Sequence, residues 1–309
     1  MDAVDRWCGK RVLVTGGTGF IGRHVTDLGV AAGVEIHNLS RGRCVHRGVI
    51  NHVAQLEDRQ AVFGVVEDVR PNAVIHLAAA GVAFGSVALD HLLAGNVVGT
   101  ENLLAALGST VPEAPVVLAG SCLEYKMQDR PISEVVRIEP DSEYGVSKAG
   151  ASLVASIYAK RLSVTMLRLF SLYGPGEVEP RFVPHIIGSA RRHEAVQLTL
   201  CEQVRDYIYV EDAATSFWLA LRTQPVDGNL LICNIGSGVP VELHALAMQL
   251  ADALDERGYT VDLQFGAKPY RPCEAKFIVS DPSRARQVLA WTPQVSLWDG
   301  LRRTVGAMI

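Results

Sequence analysis

No run of about 20 apolar residues occurs in the chain, so no segment has the reach of a membrane-spanning helix. The opening, MDAVDRWCGKRVLVTGG, lacks the basic-then-apolar order of a secretory signal. An excess of one charge is missing too: 29 basic side chains against 33 acidic ones leave a net −4, with the signs intermixed. A nucleic-acid or membrane-surface binder would show a basic face or stripe. The six cysteines (Cys8, Cys44, Cys122, Cys201, Cys233 and Cys273) include no CxxC pair, and in a chain of this size they read as reduced core or site residues. Internal repeats and low-complexity linkers are absent. These gaps leave an ordinary globular chain of 309 residues, 49% hydrophobic and 20% charged, whose expected place is the cytoplasm. Its length suffices for one large α/β domain or two of moderate size.

What is present is an alternation. RVLVTGGTGFIGRHVTDLGVAAG passes from an apolar, β-branched run through glycines into a helical pattern. VEIHNLS, NAVIHLAAAG, APVVLAGS and LSVTMLRLF repeat the strand, with helical stretches such as 95–108 and 144–161 between them. Near-continuous apolar strands alternating with helices predict a parallel sheet covered on both faces, the doubly wound α/β fold. After about residue 172 the rhythm loosens through SLYGPGEVEPRFVP, whose Pro and Gly interrupt regular structure. VELHALAMQLADALDE reads as an amphipathic helix, TVDLQFG as a strand, and the tail as two short helices about a Thr-Pro break. RDYIYVEDAATSFWLAL and NLLICNIGSG read as a return to the first lobe. The expected division is a sheet-bearing lobe of 1–172 plus about 205–240, and a smaller C-terminal lobe of 173–204 plus about 241–309. The second lobe would close over the end of the sheet, where ligands bind in such folds.

TGGTGFIG sets Gly16, Gly19 and Gly22 between the first strand and the first helix, with Phe20 and Ile21 opening that helix. Glycine serves there because the backbone turns tightly and a pyrophosphate approaches where a Cβ would stand, beside oriented N–H groups. The pattern predicts a bound dinucleotide. The second strand of an NAD binder ends on an acid that grips the ribose; here Asn38 is expected at that place, followed by Ser40 and Arg41. A carboxylate repels a 2′-phosphate, whereas a hydroxyl and a guanidinium bind one, so NADP is favoured over NAD.

In SEYGVSKAGAS, Tyr144 and Lys148 stand one helical turn apart on the same face. Tyrosine is a poor acid at neutral pH, and a nearby ammonium is expected to lower its pKa. Ser121, at the end of VVLAGS, points toward the same cleft. A Ser–Tyr–Lys set beside a nicotinamide pairs a proton donor with a hydride donor, as carbonyl–alcohol interconversion requires.

With the glycine turn, Ser121 and YGVSK in that order, the chain resembles the extended short-chain dehydrogenase/reductases, Rossmann-fold enzymes that include nucleotide-sugar epimerases, dehydratases and ketoreductases. The likeness runs from about Arg11 to about Val305, through NVVGTENLL, RLFSLYGPG, EQVRDYIYVED and IVSDPSRARQVLAWTPQVSLWDGL. It implies that Asn96 is the active-site asparagine and that Leu77, Ala78 and Ala79 of VIHLAAAG line the cofactor. Gln55, followed by Leu56, takes the place of an aspartate that binds the adenine amino group, and its amide oxygen can accept that bond. For the substrate, the resemblance implies Arg205 and Arg271 on a diphosphate and Arg181 and Phe182 near base or ribose. Ser171 stands where many relatives carry an asparagine, and LTLCEQVRD lacks the usual Gly-rich turn.

Family dehydratases carry Thr-Asp-Glu where this chain has Ser121, Cys122 and Leu123, and leucine moves no proton, so dehydration is disfavoured. Glu124 falls one place later and, on an extended strand, would face the opposite side. Cys122 also matches the cysteine of the family's double epimerase-reductases, though no histidine can be paired with it. Two readings stay open: a 4-ketoreductase consuming NADPH, toward which the end of the second strand leans, and a 4-epimerase holding NAD. The C-terminal half resembles the CDP-abequose synthase-like enzymes, which reduce a 4-keto-6-deoxy-hexose nucleotide. A dinucleotide sensor without turnover is the reading from another class, but such proteins often lose the tyrosine or lysine, and this chain keeps both. A zinc site at Cys44, His46 and His52 lacks a fourth ligand, and His76 reads as a hydrogen-bonded core histidine. The resemblance further implies a homodimer through a four-helix bundle, with Val146, Ala149, Leu153 and Ile157 along its face.

Overall fold

The computed structural model describes residues 2–42, 46–81, 87–223, 228–270 and 274–309. Six strands, β1 (Arg11–Thr15), β2 (Glu35–Ser40), β3 (Val49–Val53), β4 (Ala73–His76), β5 (Val116–Ser121) and β6 (Val164–Leu169), join the Leu231–Ile235 strand in one sheet. Its order is Leu231–Ile235, β6, β5, β4, β1, β2, β3, and every neighbouring pair is parallel. The doubly wound sheet is therefore as expected. The order reverses between β1 and β4, which opens a crevice at their carboxyl ends.

Alternation along each strand sends side chains to two separate cores. Val12, Val14, Ile36 and Ile75 pack with Val25, Phe217 and Trp218 on one face. Leu13, Leu39, Val74 and Leu118 pack with Val62, Val66, Leu103 and Leu104 on the other. The strand β3 is one that the sequence pattern does not predict. Its Val-Ile-Asn-His-Val sequence lies on the sheet edge with Ile50 and Val53 exposed, so the apolar signal of a buried strand is missing. TVDLQFG yields only the two-residue strand Leu263–Gln264.

A third core gathers Tyr173, Val183, Ile186, Ile187, Leu246, Leu250 and Leu301. It lies among the helices Phe182–Arg192, Leu243–Asp255 and Leu297–Met308. Beside it, Val204–Arg205 is the middle strand of a small sheet between Val241–Glu242 and Phe277–Ile278. Asp206 locks this region: its carboxylate accepts from the backbone N–H groups of Ser237, Gly238 and Ser280 and from the hydroxyls of Ser237 and Ser280. Among the described residues no helix is long and apolar enough to cross a membrane.

Candidate active site

The glycine turn fits the demand that sequence placed on it. Gly16 has φ +72°, and a Cβ there would stand 2.7 Å from the Ala78 nitrogen. A Cβ on Gly22 would run into the Gly16 carbonyl. Gly19 caps the Phe20–Ala31 helix with no side-chain hydrogen bond and no acid in the first turn, so the N–H groups at that end remain for an anion. Phe20 and Ile21 are half-buried beside it. Leu77, Ala78 and Ala79 follow β4 across the crevice, all partly exposed.

Asn38 takes a different position from the one expected. The strand β2 runs on to Ser40, and Asn38 is 1% exposed beneath the glycine turn. Its Oδ1 accepts from Gly17 N at 2.9 Å, and its Nδ2 donates to Asn51 Oδ1 at 2.7 Å and Ser40 Oγ at 3.2 Å. The amide is spent inside the protein because one residue from each of β1's turn, β2 and β3 converges on it. Ser40 is the strand-end residue, and exposed Arg41 follows it. Gln55 is exposed after β3, and Leu56 is half-buried with its carbonyl accepting from Asn102 Nδ2 at 2.9 Å.

Opposite, β5 delivers Ser121 to the sheet end, and the chain then folds into a single 3-10 turn, Cys122–Glu124. Ser121 Oγ accepts from Leu123 N at 3.2 Å, which leaves its own proton to donate elsewhere. Because the strand ends there, the alternation expected to turn Glu124 away does not apply. Glu124 is fully buried: Oε1 accepts from Ser121 N at 2.8 Å, and Oε2 accepts from Ser152 Oγ at 2.6 Å and Arg168 Nε at 2.9 Å. These bonds tie the end of β5 to the Glu143–Tyr158 helix and to β6. Burial pushes the Cys122 thiol up to about 12, so Cys122 is a neutral thiol at pH 7.

Ser142 caps the Glu143–Tyr158 helix through Gly145 N at 3.1 Å and so fixes where the helix begins. Tyr144, in its first turn, is partly exposed, while Lys148 is buried and donates to the Ala119 carbonyl at 2.7 Å. The direction at Tyr144 runs against the expected lowering. Burial raises Tyr144 to about 12, and the cation that opposes the rise is Arg181. The lysine ammonium is held on the Ala119 carbonyl within β5. Burial also lowers the Lys148 pKa, with Glu124 acting against that change.

Asn96 lies in a π-helical turn, Ala94–Val98, and is buried. Its Oδ1 accepts from Ala80 N at 2.7 Å, and its Nδ2 donates to Ala80 O at 3.2 Å and Ser147 Oγ at 2.8 Å. Its side-chain amide thus ties Ala80 to the Glu143–Tyr158 helix.

On the third-core side, Arg181 precedes the Phe182–Arg192 helix as its N-cap residue, and its charge acts on Tyr144, Glu177 and Tyr207. Phe182 is half-buried. Arg205 donates to Val204 O at 2.9 Å and Ala275 O at 2.7 Å, and its charge reaches Cys122 and Tyr207. Ser171 pairs with Tyr207 in a two-stranded parallel ladder. Arg271 and Cys44 lie outside the described residues. His46 instead bonds Asp27 at 2.8 Å, and His52 bonds His37 at 2.9 Å. Among the described residues no group of three or more His, Cys, Asp or Glu could hold a metal.

Sequence reasoning missed Glu177 and Asn51. Glu177 is buried and raised by desolvation to about 8, with Arg181 opposing. It sits in the Pro/Gly-rich segment, where no periodicity marks a residue as buried. Asn51 lies on the edge strand β3, which carries no apolar signal.

The chain aligns over 95% of its length with the UDP-glucose 4-epimerase of Azospirillum brasilense, at 30% identity and covering 90% of that protein. Its fold matches the UDP-glucose 4-epimerase of Thermotoga maritima, solved with UDP-glucose, at a TM-score of 0.87 and 27% identity over 96% of this chain and 98% of that one. The UDP-glucose 4-epimerase of Thermus thermophilus, solved with NAD, matches at a TM-score of 0.83 and 28% identity, over 96% and 98%. The model of the NAD dependent epimerase/dehydratase family matches residues 12–236, and the chain belongs to that family.

Proposed function

We propose that this nucleotide-sugar oxidoreductase is an NADPH-dependent 4-ketoreductase acting on a 4-keto-6-deoxy-hexose nucleotide. The observation that carries the proposal is the end of β2. Ser40 and Arg41 stand where a ribose-gripping acid would be, and the neighbouring Asn38 and Asn51 are neutral amides bonded to each other. A 2′-phosphate would meet the Arg41 guanidinium there rather than a carboxylate; the Ser40 hydroxyl itself is bonded to Gly42 O at 2.7 Å and Asn51 Oδ1 at 3.0 Å.

The cofactor's pyrophosphate would rest on the uncapped helix end at Gly19, with Leu77, Ala78 and Ala79 along its path, Gln55 and Leu56 toward its adenine, and Lys148 near its ribose. When bound, it supplies the hydride. The protein supplies the proton: Tyr144, kept in its acid form by burial, donates to the sugar oxygen, and Ser121 donates its remaining proton to hold that oxygen. Cys122 and Leu123 offer neither acid nor base for removing water. The charges of Arg181 and Arg205 both act on Tyr207 and would suit a diphosphate, with Phe182 and Ser171 on the substrate side; Arg271, the other arginine expected there, lies outside the described residues. On this reading the third core and its helices form the nucleotide-sugar lobe, and the enzyme works in the cytoplasm.

The pairing is a homodimer. Val146, Leu153 and Ile157 are 42%, 61% and 65% exposed along one face of the tyrosine helix, and Leu89, Leu93 and Val98 are exposed on the segment packed beside it. Ala149, expected on that face, is 6% exposed and belongs to the protomer's own packing.

The test is to mix the protein with NADPH and a panel of 4-keto-6-deoxy nucleotide sugars while following nicotinamide absorbance. Stoichiometric loss with reduced sugar supports the reductase. A second reading, 4-epimerase with retained NAD, is favoured by the likeness to UDP-glucose 4-epimerases; sugar interconversion without added cofactor would establish it.

A further inference from the structure

Five polar groups connect the glycine turn to the tyrosine helix without a break. Thr15, the last residue of β1, lies with Oγ1 2.6 Å from His76 Nδ1. On the other side of the ring, His76 Nε2 is 3.0 Å from Thr100 Oγ1. Thr100 donates to the Asn96 carbonyl at 2.6 Å, Asn96 Nδ2 donates to Ser147 Oγ at 2.8 Å, and Ser147 donates to the Tyr144 carbonyl at 2.8 Å. Two backbone amides hang from this chain: Ala78 N donates to Thr15 Oγ1 at 3.2 Å, and Ala80 N donates to Asn96 Oδ1 at 2.7 Å.

The directions of these bonds are fixed by counting protons. Thr100 spends its single hydroxyl proton on Asn96 O, so it can only accept from His76, whose Nε2 must carry the hydrogen. His76 Nδ1 is then an acceptor, and the Thr15 hydroxyl donates to it. The imidazole is neutral with one defined tautomer. Burial, reinforced by the Lys148 charge, keeps it so by lowering its pKa to about 3. Thr15, His76, Asn96, Thr100 and Ser147 are all buried, so no water competes for these bonds.

We infer that His76 and Thr100 are positioning residues: they tie the Ala78–Ala80 wall of the cofactor crevice to the turn that carries Tyr144. The two walls come from different layers of the fold, and hydride and proton must be delivered to adjacent atoms of one substrate. Rate is sensitive to such placement, since a misplacement of about 1 Å can cost 10²-fold. The inference rests on the oxidoreductase reading for its catalytic consequence, but the linkage itself exists in the protein alone.

Thr100→Val removes the hydroxyl at nearly constant shape, and Thr100→Ser restores it. In the ligand-free protein, Thr100→Val is expected to speed amide hydrogen exchange at Ala78 and Ala80 at least tenfold, with the later turns of the Phe20–Ala31 helix unchanged and Thr100→Ser like wild type. With substrate, kcat should fall at least tenfold while the dinucleotide Kd stays within about threefold. Should Thr100→Val fail to fold, Ser147→Ala cuts the chain at its last link, and faster exchange at Ala80 with reduced kcat is expected. Wild-type exchange in whichever variant folds, or equal impairment in Thr100→Ser and Thr100→Val, overturns the inference. Exchange needs no substrate, so its outcome is separate from that of the proposed activity.

Discussion

Arg168 sets both Nε and Nη2 2.9 Å from the same carboxylate oxygen of Glu124, and both side chains are at most 1% exposed. The guanidinium also lies 4.3 Å from the centre of the Tyr125 ring. A charge pair this deep contributes little when whole, but half of it cannot be left behind. Glu124→Ala should lower unfolding free energy by about 3–5 kcal/mol. The neutral double variant Glu124→Gln, Arg168→Met should recover most of that loss. Chemical denaturation of the two variants measures the difference.

Tyr144→Phe keeps the ring and removes the proton donor. Turnover should vanish while dinucleotide affinity, measured by titration, stays within a few-fold. Undiminished turnover would remove Tyr144 from the reaction.

Arg41→Ala should weaken NADPH binding at least tenfold and NADH binding hardly at all, because only one of them carries the phosphate the guanidinium would meet. Equal losses would show that Arg41 does not read it.

Glu177 gives a pH dependence of known sign. Unfolded, it releases its proton near 4.5; folded, it holds the proton to about 8. The folded state therefore binds the extra proton between those values, and stability falls as pH rises through them. Glu177→Gln should leave the melting temperature almost unchanged at pH 5 and raise it by several degrees at pH 8. Thermal melts at the two pH values check the prediction.

Leu153→Asp with Ile157→Asp places two charges on the exposed apolar face of the tyrosine helix. If the proposed homodimer forms through this face, mass measurement at micromolar concentration should show a dimer for the native chain and a monomer for this variant; equal masses would remove the face from the pairing.

The strands that sequence revealed are those whose two faces are both covered, because full burial writes an unbroken apolar run. The edge strand β3 is half-wet and left no such mark, and with it went Asn51 and the true environment of Asn38. Sequence names site candidates where chemistry fixes residue type and spacing, as in the glycine turn and the Tyr144–Lys148 pair. It does not name the direction of bonding. The lysine's turn toward Ala119 and the change from strand to 3-10 turn at Cys122 depend on where β5 stops, and no residue there announces the stop.

The widened turn at Ala94–Val98 has a consequence for how this enzyme can change. An α-helix through the same residues would have better backbone geometry and greater intrinsic stability. It would also swing Asn96 about the helix axis, away from Ala80 and Ser147. A one-residue deletion here would therefore straighten the helix only by giving up the bonds that join Ala80 to the tyrosine helix, so the segment trades backbone regularity for that connection.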